Sequence, residues 1–154
     1  MNKMGRTLGC AAAALAAIAA GGVPAAADAP IDTVFVAGRA GWVVTGIVAG
    51  QGDAYDIRAD GQVITWLPPY GMSLSGPDGQ SGVCTDNAGL GLECVVDGAP
   101  WGALVGRFGT GDPFVIGARQ VIDGVGPLML TVNDYDGYWF DNGGGFAVRV
   151  RASS

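Results

Sequence analysis

The 154-residue chain contains no histidine, one lysine (Lys3), one glutamate (Glu93) and three cysteines. Each shortage removes a chemistry. Without histidine, Ser-His-Asp and Cys-His nucleophilic systems are excluded, as are histidine-ligated metals. With its only lysine at position 3, the rest of the chain has no amine for Schiff-base chemistry or for a phosphate-loop lysine. Long helical patterns are also missing: no window after the N-terminal segment repeats with a helical period. The 24 glycines that follow residue 27 oppose long helices as well.

Lys3 and Arg6 form a short basic region ahead of an Ala-rich apolar run. Ala25-Ala26-Ala27 then fits a small-x-small cleavage pattern before Asp28. Residues 1–27 are therefore predicted to be a secretory signal peptide, and residues 28–154 a single domain in the periplasm or outside the cell. Cys10 has only nine residues before it and its apolar run after it, which does not suit a lipid-modified cysteine. Residues 28–154 carry six arginines against fourteen acids, a formal charge of −8. Nucleic acid and anionic lipid both need clustered Lys/Arg, so neither is an expected partner, and no membrane insertion is expected after cleavage. A cation or a neutral ligand suits this balance; homo-oligomerisation is left open.

Cys84 and Cys94 are the two cysteines of the predicted domain. In an exported protein an even count favours a disulfide over two free thiols, and closing this short loop is worth about 2–3 kcal/mol. Zinc is not expected, because two thiols and no histidine make too few ligands.

Short apolar runs punctuated by turn residues mark the strands. Ile31–Val36 reads as an edge strand, Trp42–Val48 as the next, and Tyr55 and Ile57 alternate in a third. Asp60-Gly61 is a hairpin signal leading into Gln62–Leu67, which ends at Pro68-Pro69. Residues 70–87 hold turn chemistry, and Leu92–Val96 reads as a short strand around Cys94. Ala103–Val105, Val115-Ile116 and Arg119–Ile122 follow, with the turn-rich Arg107–Phe114 between them. Leu128, Leu130 and Val132 share one face of a strand, Phe146, Val148 and Val150 one face of another, and together they predict a closing hairpin. Trp42, Trp66 and Trp101 lie in or beside strands and are expected in the core. The pattern predicts an all-β fold, a single antiparallel β-sandwich or jelly roll.

Gly106, Gly109 and Gly111 echo a nucleotide-binding loop, but no helix pattern follows them, so a β-turn is expected. Glu93 is expected at the surface. A glycosidase needs two carboxylates at a set separation, one with a raised pKa, and a 127-residue sandwich leaves little room for the cleft. No catalytic residues are assigned.

Between the last two apolar runs, Asp134, Asp136 and Asp141 fall within eight residues, and no Lys or Arg occurs from Gln120 to Val148. Two carboxylates about 5 Å apart repel by roughly 3 kcal/mol at an effective dielectric near 20. Such a loop either splays its carboxylates into water or gathers them on a cation. Calcium takes six to eight hard oxygens from carboxylates, amides and carbonyls, and Asn142 adds an amide. Gly143–Gly145 supply the tight backbone a return needs. The EF-hand spacing is not met, since Gly145 stands where its bidentate Glu would fall. Spacing alone leaves both readings open. Tyr135, Tyr138, Trp139 and Phe140 present either a stacking wall for the apolar face of a sugar or ordinary packing.

Asn133-Asp134, Gly137 and Asp141-Asn142-Gly143-Gly144-Gly145-Phe146-Ala147-Val148 resemble the ND…G…NNSGSFSV stretch of the bacterial galactophilic lectins, the PA-I type (LecA-like) calcium-dependent family. Gly102–Val105 with the RFGTGDPF segment resembles its GALV…IG block, and Tyr70-Gly71 with Gly76-Pro77 its YG…GP segment. The order is kept from about Trp42 to Arg151. The resemblance implies a small sandwich of the jelly-roll, galactose-binding-domain-like kind with one Ca2+ near its end. Its ligands would be the Tyr70 carbonyl, Asp134, the Tyr138 carbonyl, Asp141 and Asn142. Sugar hydroxyls would complete the shell, with Asp134, Tyr135, Tyr138 and Asp141 in contact with the carbohydrate. Several positions depart from the family: its galactose pocket uses a His absent here, Gln80 stands closer to Gly76-Pro77, and Asp141 replaces an Asn. Tyr138 and Phe140 replace smaller residues, and the cysteine spacing is wider. The expected function is an exported, calcium-dependent, lectin-like carbohydrate-binding domain for a galactose-type or other glycan. The alternative is a β-sandwich in which calcium is structural and the surface serves protein contacts.

Overall fold

A computed structural model describes residues 31–67 and 71–153. The predicted signal peptide and Tyr70 lie outside the described residues. The strands are β1 (Ile31–Ala37), β2 (Val43–Ala49), β3 (Ala54–Leu67), β4 (Gly71–Ser75), β5 (Leu104–Phe108), β6 (Phe114–Val115), β7 (Arg119–Asp123), β8 (Gly126–Val132) and β9 (Gly143–Ser153). The only helical turn among the described residues is a 3-10 turn at Trp139–Asp141, and no helix there is long and apolar enough to cross a membrane.

Two antiparallel sheets form a β-sandwich, as the punctuated apolar pattern predicts. One sheet runs β1-β9-β3-β4, with β7 also paired to β3; the other runs β2-β8-β5-β6. β1 is an edge strand, as expected. β3 is the spine of its sheet: β9 pairs with it from Ala54 to Ile64, while β7 covers Ala54–Arg58 and β4 covers Val63–Leu67 on the other side.

This pairing overturns the hairpin predicted at Asp60-Gly61. The dipeptide lies in mid-strand: β9 pairs with it on one side, Asp60 with Ala147 and Gly61 with Phe146, and on the other it spans the gap between β7 and β4. Glycine is still required there. Gly61 has φ +121°, and a Cβ would come 2.5 Å from the Gly145 carbonyl oxygen where β3 and β9 press together. Gly143–Gly145 likewise belong to β9 rather than to a loop.

The closing hairpin is also corrected. β8 and β9 belong to different sheets, and the chain from 133 to 142 crosses from one layer to the other. Leu128, Leu130 and Val132 do share a buried face, as do Phe146, Val148 and Val150, but the two faces meet across the core. Val36, Ile57, Val63, Leu104, Ile116 and Ile122 complete that core. Burying each large apolar side chain contributes about 1.5–3 kcal/mol.

Leu92–Val96 is not a strand. The long excursion between β4 and β5 is held by isolated bridges, Asn87 to Leu92 and Cys94 to Tyr135, and by the Cys84–Cys94 disulfide expected from the cysteine count. The tryptophans are not core residues either. Trp66 is 48% exposed, Trp101 is half-buried, and half-buried Trp42 lies under the Arg107 guanidinium, 4.1 Å from its ring centre. Their amphipathic rings fit the sandwich rim better than its aliphatic interior.

Candidate functional site

The loop leaving β8 is anchored before it reaches its acidic residues. Asn133 is fully buried. Its Oδ1 accepts from the Val96 N–H at 2.9 Å, and its Nδ2 donates to the carbonyls of Val96, Ala99 and Pro100 at 3.1–3.3 Å. The Val95 N–H donates to the Asp134 carbonyl at 2.9 Å, and the Asp136 N–H to the Glu93 carbonyl at 2.8 Å. The disulfide-closed excursion thus forms one wall of the loop. Glu93 itself is exposed, as predicted.

Asp134 and Asn142 meet behind this wall, 4% and 1% exposed. Asp134 Oδ1 accepts from the Tyr135 N–H at 2.7 Å, and its Oδ2 accepts from Asn142 Nδ2 at 2.9 Å. Asn142 Nδ2 also faces the Gly38 carbonyl at 3.3 Å. Asn142 Oδ1 is buried and has no hydrogen-bond partner. Such an orphan costs about 1–3 kcal/mol unless something satisfies it.

Burial pushes the Asp134 carboxyl up to about 6, the Asn142 and Tyr135 hydrogen bonds oppose that rise, and the charge of Asp141 adds to it. Asp141 is exposed and opens onto the same pocket, and Asp136 points to solvent. The oxygens available to a hard cation are therefore the carboxylates of Asp134 and Asp141 and the orphaned amide oxygen of Asn142. That donor set fits calcium in kind, being all oxygen. A second group, Asp86, Cys94 and Asp97, also lies close together. There the sulfur is committed to the disulfide, and Asp86 and Asp97 accept from the backbone N–H groups of Cys94 and Asp86.

Beside the carboxylates is a pocket of about 280 Å³, lined by Trp66, Leu92, Trp101, Tyr135, Tyr138 and Phe140 with Asp134 and Asp141. Tyr135 packs edge-on against Trp101 at 5.0 Å and against Tyr138 at 6.4 Å; Tyr138 and Phe140 lie 5.9 Å apart. Tyr138 and Phe140 are 46% and 70% exposed. Of the four loop aromatics, three form a wall and one is packing. Trp139 turns inward, donating from Nε1 to the Val132 carbonyl at 3.0 Å beneath Gly41. Trp66, Leu92 and Trp101 were not anticipated at the site. The one available signal was three apolar residues flanked by turn chemistry, and that does not say which loop they will meet.

With the geometry in place, comparison with solved structures is informative. The N-terminal domain of EclA, a PllA-like lectin, matches with a TM-score of 0.57 at 21% identity, over 79% of this chain and 95% of that chain. The chain shares the β-sandwich fold of that domain. At this identity the likeness to the lectin is one of backbone architecture and does not carry its site residues across. No protein-family model matches the chain, and no curated protein matches it.

Proposed function

We propose that the chain is an exported carbohydrate-binding domain in which a calcium ion, held at the 134–142 loop, contacts the sugar directly. The observation that carries this reading is one pocket in which two carboxylates meet an aromatic wall, with Asn142, whose buried amide oxygen has no partner, bonded to one of those carboxylates. Asp134, Asp141 and Asn142 would hold the ion, with the carbonyls of Tyr138 and Tyr70 completing its protein ligands as the resemblance to the PA-I type lectins implies. Bound calcium would supply positive charge and coordination positions for two sugar hydroxyls. Asp134, with Oδ2 already fixed by Asn142, would accept from a hydroxyl and orient it. Tyr135, Tyr138 and Phe140 would meet the C–H face of the ring, with Trp66 and Trp101 extending the wall. The role proposed is binding, without catalysis.

A second reading keeps the calcium structural and gives the surface to protein contacts. It is favoured by the apolar tile beside the pocket, where Ile64 pairs with Leu74 and Trp66 with Met72 across β3 and β4, all four exposed. Thermal melts with calcium, with EDTA, and with calcium plus a glycan panel separate the two. A ligand at a hundredfold excess over its Kd raises stability by about 2.7 kcal/mol. A calcium shift with a further sugar shift supports the lectin reading, and a calcium shift alone supports the structural one. No calcium shift defeats both.

A further inference from the structure

The strands at the borders of the two sheets differ in how they meet water. An unpaired edge strand is a template for another chain, and folded proteins blunt it with charge, shortness or a bulge. β1 carries Asp32, and β7 carries Arg119 and Asp123. β6 has two residues, and the register of β2 is irregular between Val44 and Val48. β4 has none of these devices. It ends its side of the larger sheet, and among the described residues no strand pairs with it beyond β3. Its sequence is Gly-Met-Ser-Leu-Ser, paired in unbroken register, and no Asp, Glu, Lys or Arg occurs from Gly61 to Pro77. Met72 and Leu74 are 76% and 57% exposed. They stand opposite Trp66 and Ile64 of β3, which are exposed as well, so the apolar tile runs out to the open edge.

We propose that β4 pairs antiparallel with β4 of a second copy of this chain across a twofold axis, joining the two larger sheets into one. Charge selects this occupant. A domain of formal charge −8 repels its own copies over most of its surface, but β4 and the end of β3 beside it bring no charged side chain to the contact. The segment that fits an open, uncharged, alternating edge is itself an uncharged, alternating strand, and β4 is one. A register centred on Ser73 sets Met72 directly opposite Leu74 of the second copy, and Leu74 opposite its Met72, on one continuous face. Each of two apolar rows then runs from Trp66 through Met72 to Leu74 and Ile64 of the other copy. Five residues per copy make a small contact beside the roughly 800 Å² per partner of a stable complex. The pair is therefore a weak one, with a dissociation constant between about 1 µM and 1 mM. Trp66 also lines the pocket. In the dimer the two Trp66 positions are three strand spacings apart, about 15 Å, which brings both pockets to one face. The pairing itself uses neither calcium nor sugar, so it stands apart from the proposed function.

Sedimentation velocity of the full chain from about 5 µM to about 1 mM, in calcium and in EDTA, spans that range. The expected result is a weight-average mass that climbs from that of one copy toward that of two, alike in both buffers. Met72→Glu and Leu74→Glu each set a carboxylate against the other copy's apolar row and should raise the dissociation constant at least tenfold, with circular dichroism confirming the fold. Val48→Glu is the control. Val48 is exposed on β2, in the other sheet, so the same charge change there should leave the association as it was. A single copy at every concentration overturns the proposal and leaves the tile to a different protein. So does an association that both β4 variants leave intact, or one that Val48→Glu weakens as much as they do.

Discussion

Asp134 carries two opposed demands. Its burial favours the protonated acid, so its carboxyl rises from 3.8 to about 6, yet a calcium ligand must be ionised. A carboxyl whose folded pKa is raised is destabilising when ionised. In metal-free protein the contribution is absent below about pH 3.8, grows as the unfolded chain ionises first, and is complete above about pH 6. A rise of about two units corresponds to about 3 kcal/mol. Asp134→Asn should therefore stabilise the protein in EDTA at pH 7 by up to about 3 kcal/mol, with the gain vanishing near pH 4. The same variant should lose the calcium-induced rise in Tm and all glycan binding. Denaturant melts from pH 4 to 7, with calcium and with EDTA, check both halves; a destabilised Asn variant in EDTA would show that the carboxylate is not strained. Asn133 is the opposite case, buried and fully partnered. Asn133→Ala removes four hydrogen bonds and strands backbone groups of residues 96–100, at a cost of roughly 2–4 kcal/mol.

At the scale of elements, the excursion from Ser75 to Leu104 has little regular structure of its own, yet it makes one wall of the site. The disulfide is its staple. Removing it as Cys84→Ala with Cys94→Ala should cost about 2–3 kcal/mol from the unfolded-state term. It should also weaken ligand binding, because the bridge from Cys94 to Tyr135 loses its tether. Retained affinity measured below the new Tm would show that the wall stands without its staple. β3 tests the corrected topology. Gly61→Ala sets a methyl against the Gly145 carbonyl in mid-sheet and should cost on the order of 1–3 kcal/mol. A freely exposed turn would show a smaller loss in the same denaturant titration.

For the whole molecule, what was legible in the sequence and what was not divide along one physical line. Alternation is local, so strand positions and buried faces could be read, down to Leu128, Leu130 and Val132 against Phe146, Val148 and Val150. Pairing is not local. The same two apolar faces suit a hairpin or two opposed sheets, and only the layers supplied by β2, β5, β1 and β3 decide for the latter. The site divides in the same way. Asp134, Asp141 and Asn142 stood out by residue type within one loop, and Tyr135, Tyr138 and Phe140 came with them. Trp66, Leu92 and Trp101 reach the pocket from three other segments, each placed by topology. Nothing local separates a rim tryptophan from a core one.

Trp66 is therefore where the sandwich as a whole bears on the ligand. It sits on β3, in the sheet that β9 enters after the crossing loop, so its distance from Asp134 is fixed by how the two layers close. Its ring is 48% exposed, so truncation should cost the fold little. A stacked aromatic is worth about 0.5–1.5 kcal/mol beyond its buried area, and 1.4 kcal/mol is about tenfold in affinity. Trp66→Ala should weaken glycan binding by about tenfold or somewhat more while leaving the calcium-induced stabilisation unchanged, because the ring contributes no ligand oxygen. Asp134→Asn, by contrast, should abolish both responses together. Calorimetric titration of each variant, first with calcium and then with the best-binding glycan, distinguishes the two effects. Unchanged glycan affinity in Trp66→Ala would confine the sugar to the loop aromatics and leave the outer face of β3 and β4 to a protein partner.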